Sequence, residues 1–412
     1  MDKKNFRLWL LYDFANSIAF IALGFYFSLY FVSDNGMPDY WLSIAVVFST
    51  VLLLLLLPAL GRLSDRMQRR MPFLIQFTVL AILSLVGLGA VAMSEGAWSS
   101  EKAFTIITFY FLFYFFYQGS LVFYDSMIPN FIGKRSSESV SGWGMGFGQV
   151  GNLVGLVVAL QIAEGKWSLF GHEGRSATFL VGALIFFVLV LPVLLFLKDK
   201  KTSAPPTEFR PAKEGLKIAM KDKNIRYFLI SYYLFADAIL TLQLFVSLYL
   251  EEVAQMDDKQ KTVALLIALL CGVVGAWVSP KLAKIFKSTR KTIHLLIGAW
   301  ALLLMGFALS KTPGMFTTLL ILNGFAFGAL FALARAYYSQ IIPQDKQAEL
   351  FSIFVLFERA ASILGPLVWS GTILAFSSFG SDRYRFAMFS LGILVAISFL
   401  VFRKVKPQEH VA

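Results

Sequence analysis

The chain has 412 residues, of which 58% are hydrophobic and 15% charged, whereas a soluble domain is about 45–50% apolar and about 25% charged. An ordinary soluble enzyme is excluded. The net charge of +12 raises the question of a nucleic-acid partner, and the single Cys271 excludes a disulfide framework or a Cys-based metal site.

Apolar runs long enough to cross a bilayer, about 20 residues each, are read at 8–32, 40–60, 73–93, 102–127, 142–163, 177–197, 226–250, 262–280, 292–310, 315–338, 350–376 and 385–402. The first is too long for the core of a signal peptide. Tyr30-Phe31-Val32-Ser33 offers no small-residue cleavage site, so this run is expected to stay in the protein. With the N-terminus inside, the cytoplasmic segments hold 27 Lys and Arg and the opposite side eight. That asymmetry is the positive-inside pattern. Both termini are expected to be cytoplasmic, the partner of the basic excess is the lipid bilayer, and no nucleic acid is needed.

The stretch Lys198 to Arg226, with Pro205-Pro206, Pro211 and nine basic residues, reads as a cytoplasmic linker. It divides the chain into a six-helix bundle over 1–197, a linker over 198–225, and a second bundle with a short tail over 226–412. Landmarks recur in order across it. Asp13 matches Asp237, Pro58 matches Pro280, Tyr124-Asp125-Ser126-Met127-Ile128-Pro129 matches Tyr338-Ser339-Gln340-Ile341-Ile342-Pro343, and Ser141 matches Ser352, at offsets of 224, 222, 214 and 211. Two related six-span halves are a transporter signature, with the solute path expected where the repeats meet near the midplane. The expected fold is therefore all-α, with twelve transmembrane helices in two pseudo-symmetric bundles.

Six ionisable groups fall within the spans: Asp13, Asp125, Asp237, Arg335, Glu358 and Arg359. Each costs roughly 2.5–3.5 kcal/mol at a helix centre, so they should face a polar interior or one another. Helical spacing puts Asp13, Asn16, Ser17, Gly24 and Ser28 on one stripe, Tyr114, Gln118 and Asp125 on a second, and Tyr233, Asp237 and Thr241 on a third. A fourth carries Gly324, Gly328, Phe331, Arg335 and Tyr338. Asp237 lies deepest, about three turns from the end of its run, and is the candidate for binding a solute or a proton. The others are candidates for a cytoplasmic-side gate or for staples between helices. Four carboxylates against two arginines invite a proton or a cationic group on the solute. Span 5 carries Gly142, Gly144, Gly146, Gly148, Gly151 and Gly155 around Gln149 and Asn152, read as close helix contact or as a bending surface.

After span 2 comes Gly61-Arg62-Leu63-Ser64-Asp65-Arg66-Met67-Gln68-Arg69-Arg70, which resembles the loop 2–3 motif of the major facilitator superfamily. Gly61 would let a neighbouring helix approach; Asp65 would face a helix N-terminus or an arginine; Arg66, Arg69 and Arg70 would hold the cytoplasmic face. The equivalent loop after span 8 has Ala283 and Lys287 where Gly and Asp would stand. Leu11-Tyr12-Asp13-Phe14-Ala15-Asn16-Ser17 is similar to the first-helix signature of the vacuole-effluxer (autophagy-related amino-acid effluxer) branch. Ala332-Leu333-Ala334-Arg335-Ala336, Glu349-Leu350-Phe351 and Leu364-Gly365-Pro366-Leu367 resemble its tenth and eleventh spans. Asp125 and Phe331 depart from that branch, which typically carries Asn and Gln there.

The resemblance implies a monomeric secondary transporter of a bacterial cytoplasmic membrane, moving amino acids or similar small polar solutes by rocking alternation, with protons as candidate coupling ions. Asp13, Asn16, Ser17, Tyr114 and Gln118 would line one wall, and Arg335 would hold an anionic group or a gate carboxylate. A rival reading keeps the fold and makes the cargo an amphiphile such as a lipid or cell-wall fragment. A non-transporting receptor is a third. No cofactor or metal is expected, since His172, His294 and His410 are scattered, and no Walker-type Gly-Lys-Ser/Thr stretch or nucleophile–base pair points to an enzyme.

Overall fold

Hydrocarbon offers no partners to backbone N–H and C=O groups, so a chain this apolar must satisfy them within helices. The computed structural model shows fourteen α-helices and describes residues 3–67, 69–127, 131, 137–168, 171–198, 212–343 and 346–406. At 62, 65, 137–139, 141, 142, 145, 212–214 and 347–349 it describes the backbone alone. The helices are α1 (Lys3–Ser28), continued by a π-helical turn over Leu29–Asp34, α2 (Tyr40–Met67), α3 (Met71–Met93), α4 (Ser100–Ser126), α5 (Ser137–Ala163) and α6 (Ala177–Phe196). After them come α7 (Ala212–Lys221), α8 (Lys223–Glu252), α9 (Asp258–Ile285), α10 (Thr289–Leu309), α11 (Pro313–Ile341), α12 (Gln347–Ala360), α13 (Leu364–Ala375) and α14 (Asp382–Phe402). Twelve helical segments are long and apolar enough to cross a membrane; the eleventh, Leu350–Ala375, is made of two helices.

The chain divides into two compact units, Met1–Pro206 and Thr207–Ala412. In the first, α1 packs along α5 and α6, α3 on α4 and α6, and α2 on α4. In the second, α8 packs along α12, α13 and α14, α10 on α11 and α14, and α9 on α11. Counting α12 and α13 as one span, each of these pairs has its counterpart in the other unit, so the repeat read from a few landmarks extends to the packing.

Four details differ from the sequence reading. Helix α2 runs on past Pro58 to Met67, and α9 past Pro280 to Ile285, because charged residues continue a helix in water although they end an apolar run. Part of the linker is helix α7, packed on α12 and α8. Asp222 closes it off by accepting the Asn224 and Ile225 N–H groups at 2.7 and 3.0 Å, starting α8 afresh. Lys261, one of the eight basic residues read on the side opposite the cytoplasm, is fully buried in the first turn of α9, held by Glu251 and by Asp258 at 2.8 Å. Finally, span 11 is not continuous. Helix α12 ends at Ala360 and α13 begins at Leu364, where Pro366 has no N–H to continue a ladder from the residues before it.

Lipid-embedded helices gain little from apolar burial against one another, so close backbone packing must hold them. Between α9 and α11, a Cβ at Gly275 would fall on the Phe325 carbonyl oxygen, one at Gly324 on that of Ala268, and one at Gly328 on that of Gly272. Gly328→Ala should therefore destabilise the protein by about 1–3 kcal/mol, the usual cost of overpacking. The exposed Gly371 of α13 has no atom within 4 Å of its Cβ position. There, Gly371→Ala should be neutral or stabilise by up to about 1 kcal/mol through helix propensity. Thermal unfolding of the detergent-purified variants, read by tryptophan fluorescence, checks both signs.

Candidate functional site

The break in span 11 leaves the first N–H groups of α13 without carbonyls one turn back. Asp237 of α8 supplies an acceptor. Its Oδ2 takes the Gly365 N–H at 2.8 Å, and the Leu364 N–H and Tyr233 hydroxyl lie close enough to act on the same carboxyl group. The Thr241 hydroxyl, one turn on, donates to the Asp237 carbonyl oxygen at 2.7 Å. Gly365 permits the approach: a Cβ there would lie 2.8 Å from the Asp237 carbonyl oxygen and 3.0 Å from Oδ1, and closer still to Thr241 Oγ1. Asp237 is 0% exposed, and among the described residues its Oδ1 has no hydrogen-bond partner. Counted along α8, it is near the middle of a spanning helix (Lys223–Glu252). The stripe Tyr233, Asp237 and Thr241 thus converges on one point, the start of α13.

The charges at the end of α12 form a looser group. Arg335 Nη2 of α11 and Glu358 Oε2 stand 3.9 Å apart, with side chains 43% and 37% exposed. Arg359 is half-buried beside them, and all three charges act on the buried Tyr232. Tyr338, predicted on the Arg335 stripe, belongs elsewhere. It is fully buried, stacked between Phe228 and Phe354, and its hydroxyl donates to the Leu350 carbonyl at 2.8 Å.

In the first unit, Asp13 is half-buried and Asn16 and Ser17 are buried; Asp13 and Ser17 lie on the face of α1 covered by α5. The glycines of α5 make that face possible. A Cβ at Gly148 would lie 3.0 Å from Asp13 Oδ2 and 3.2 Å from Ser17 Oγ, and one at Gly151 would meet the Phe14 carbonyl oxygen. The tyrosine that reaches Asn16 is Tyr117, whose hydroxyl lies 3.4 Å from Asn16 Oδ1. The ring of Tyr114 packs instead on Phe20 and Tyr110, and Gln118 is half-buried on the next turn of α4. Asp125 ends α4 beside Tyr124, whose ring stacks on Trp9 at 4.6 Å and Tyr12 at 5.0 Å. The residues that sequence reasoning missed are Trp9, Tyr117, Tyr124 and the contact of Gly148 with Asp13; spacing within one helix carries no signal for partners on another.

Within the loop 2–3 motif, Arg66 and Arg69 are exposed and the Arg70 guanidinium donates to the Ser126 carbonyl. The Asp65 side chain lies outside the described residues. No described atom lies within 4 Å of a Cβ at Gly61, so among the described residues the close helix approach expected there is not found.

A family model described as vacuole effluxer Atg22 like matches residues 24–410. An uncharacterized MFS-type transporter of Bacillus subtilis, YxiO, is 22% identical over 98% of this chain and 95% of its own length. Autophagy-related protein 22-1 of Sclerotinia sclerotiorum is 24% identical over 63% of this chain and 48% of its own length, so the chain spans about half of such fungal relatives. Among solved structures, the nucleoside transporter NupG has a TM-score of 0.75 at 14% identity, covering 99% of this chain and all of that one. A D-xylose-proton symporter has a TM-score of 0.71 at 13% identity over 98% and 97%. At such identities the likeness shows a shared fold, that of the major facilitator transporters.

Adding a methyl group at Gly365 tests the packing of α13 on α8. Gly365→Ala should lower stability by about 1–3 kcal/mol, and adding Thr241→Ala should recover part of the loss by removing the nearest obstructing atom. Equal losses in the single and double variants would show that Thr241 is not what confines Gly365. Thermal midpoints of the three proteins make the comparison.

Proposed function

The chain belongs to the Atg22-like vacuole effluxer family of membrane transporters, and from that premise we propose that it exports a small polar solute of the amino-acid class by proton-coupled alternating access. Both termini are cytoplasmic in this reading, and the membrane is the cytoplasmic membrane of a bacterium. The working unit is a monomer. Asp237 carries the proposal: a carboxylate at 0% exposure in a spanning helix, with one oxygen held by a helix N-terminus and the other without a partner among the described residues. Leaving such an oxygen unmatched costs about 1–3 kcal/mol or more. A solute ammonium group or a proton relieves that cost, which gives the site a preference for either. The strain on the unmatched oxygen also makes the bound state and the empty state differ in energy, as a transport cycle requires.

The other polar residues take supporting roles. Asp13, Asn16 and Ser17, with Tyr114 and Gln118, form a polar wall in the first unit. Tyr233 and Thr241 orient Asp237. Arg335 and Glu358, half-exposed and 3.9 Å apart, are a pair that opens at little cost, since exposed ion pairs contribute about 0–1 kcal/mol. They suit a gate, with Arg359 beside them and with Gly61, Asp65, Arg66, Arg69 and Arg70 steadying one end state.

The protein reconstituted in liposomes, loaded in turn with amino acids, nucleosides, sugars and lysolipids, tests the proposal. The native protein should release an amino acid faster when a pH gradient is imposed. Asp237→Asn should cut that release at least tenfold, the effect of about 1.4 kcal/mol on a barrier. Undiminished release by Asp237→Asn at every pH removes Asp237 from the mechanism, and release of lysolipid alone replaces the solute class with an amphiphile.

A further inference from the structure

Helix α9 carries an exposed stripe whose character changes along its length. Val263, Ile267, Leu270, Val274 and Trp277 recur at steps of four and three, so they share one face, and each is exposed, Trp277 to 81%. The same steps continue to Lys281 and Lys284, both exposed. The Lys281 ammonium lies over the face of the Trp277 ring, 6.0 Å from its centroid. At about 1.5 Å per residue, Leu270 to Trp277 makes an apolar track of about 10 Å, and Lys281 and Lys284 stand about 6 and about 10 Å beyond the indole. The polar layer of a bilayer is about 5–8 Å deep on each face. With Trp277 at the interface, where tryptophan is enriched, the two lysines therefore reach the level of the lipid phosphates.

The chain then turns in a conformation that suits glycine, yet a lysine stands there. Lys287 has a φ of +53°; its N–H donates to the Lys284 carbonyl at 3.1 Å, and the Ser288 N–H to the Ala283 carbonyl at 3.1 Å. This is the left-handed helix end that glycine closes without a Cβ penalty. An exposed lysine kept at such a position against its backbone preference points to a use for its charge. Ser288 next accepts the Lys291 N–H at 3.3 Å, which sets Lys291 in the first turn of α10. Arg290 beside it is spent on the Val405 and Arg403 carbonyls at the end of α14. The ammonium groups of Lys284, Lys287 and Lys291 have no ion pair or hydrogen bond among the described residues. No carboxylate occurs from Lys259 to Gln344, and α14 carries its acid, Asp382, at the end away from Arg403.

We infer that the corner between α9 and α10 binds one anionic phospholipid of the phosphatidylglycerol class, its phosphate held by Lys281, Lys284 and Lys287 and an acyl chain laid along Leu270, Val274 and Trp277. Charge selects the occupant. Four ammonium groups, with no carboxylate on this end of α9, α10 or α14, call for an anion, and the adjoining apolar track requires that the anion be amphiphilic. Any basic loop attracts an anionic bilayer diffusely. This corner adds a fixed turn and an indole beside the charges, so a single lipid fills it. The inference rests on α9 spanning the bilayer and not on what the protein carries.

The purified full chain is unfolded thermally in phosphatidylcholine nanodiscs in which phosphatidylglycerol replaces a rising share of the lipid. A ligand of the folded state raises the midpoint. The native protein should gain several degrees and reach a plateau while phosphatidylglycerol is still the minor lipid. Lys281→Gln with Lys284→Gln should raise the share needed for half the gain at least several-fold, whereas Lys217→Gln with Lys221→Gln, the same loss of charge at exposed positions of α7, should leave it unchanged. Lys287→Gly separates binding from folding. In pure phosphatidylcholine its midpoint should equal or exceed the native one, because the turn is relieved, while the share needed for half the gain rises several-fold. If the Lys281 and Lys284 double variant does not fold, Lys287→Gly decides. A native protein that gains nothing, a gain without a plateau, an equal loss of response in the α7 pair, or an undiminished response in Lys287→Gly each overturns the inference. So does a rise in midpoint when inorganic phosphate alone is added to the detergent-solubilised protein, since the occupant is then a free anion. Failure of the liposome release experiment leaves this result standing, because no solute enters it.

Discussion

The hydrogen bond from the Gly365 N–H to Asp237 carries the logic of the second unit. A spanning helix that breaks in an apolar medium exposes donors which water is not there to satisfy, and an unmatched backbone group costs several kcal/mol. The break between α12 and α13 persists because a carboxylate on a neighbouring helix meets it. The carboxylate in turn survives burial because the break supplies backbone donors and the positive end of a helix. Neither feature is stable alone. Gly365 and Thr241 follow from the same requirement, since the half-helix must lie against α8 closely enough for the bond to form, and Pro366 in the first turn ensures that the chain does not heal into one continuous helix.

The same architecture appears in the first unit with a different outcome. Asp13, Ser17 and Gly148 repeat the carboxylate, hydroxyl and glycine arrangement, but α5 is unbroken and offers no donor. Two units with matching helix pairs therefore hold these carboxylates by different means, backbone donors beside the buried Asp237 and side chains beside the half-buried Asp13.

Charges elsewhere in the molecule divide by how firmly they are held. Lys261 is fully buried between Glu251 and Asp258; removing one member of such a cluster leaves an uncompensated buried charge, so it joins the end of α8 to the start of α9 firmly. Arg335 and Glu358 are long, half-exposed and barely within ion-pair range. A gate needs the second kind of pair. Glycine contacts provide the complementary rigidity: α1 on α5, α9 on α11 and α8 on α13 all meet through positions where a Cβ would overlap a neighbour's backbone.

The sequence by itself determined the class, the number of spans, the division into related halves and the polar stripes, because each rests on composition or on periodicity within one segment. Asp13, Asp237, Thr241 and Tyr233 were legible for that reason, as single polar residues on otherwise apolar helices. The Gly365-Pro366 pair already carried the signal for a break in span 11, yet the run of apolar residues concealed it, since hydropathy does not register a lost N–H. Only the tertiary structure decided that Asp237 meets that break, that Tyr117 rather than Tyr114 reaches Asn16, and that Tyr338 packs between Phe228 and Phe354. Those outcomes depend on which helix lies beside which and at what height, and neighbours brought together across more than a hundred residues leave no periodic trace in the chain.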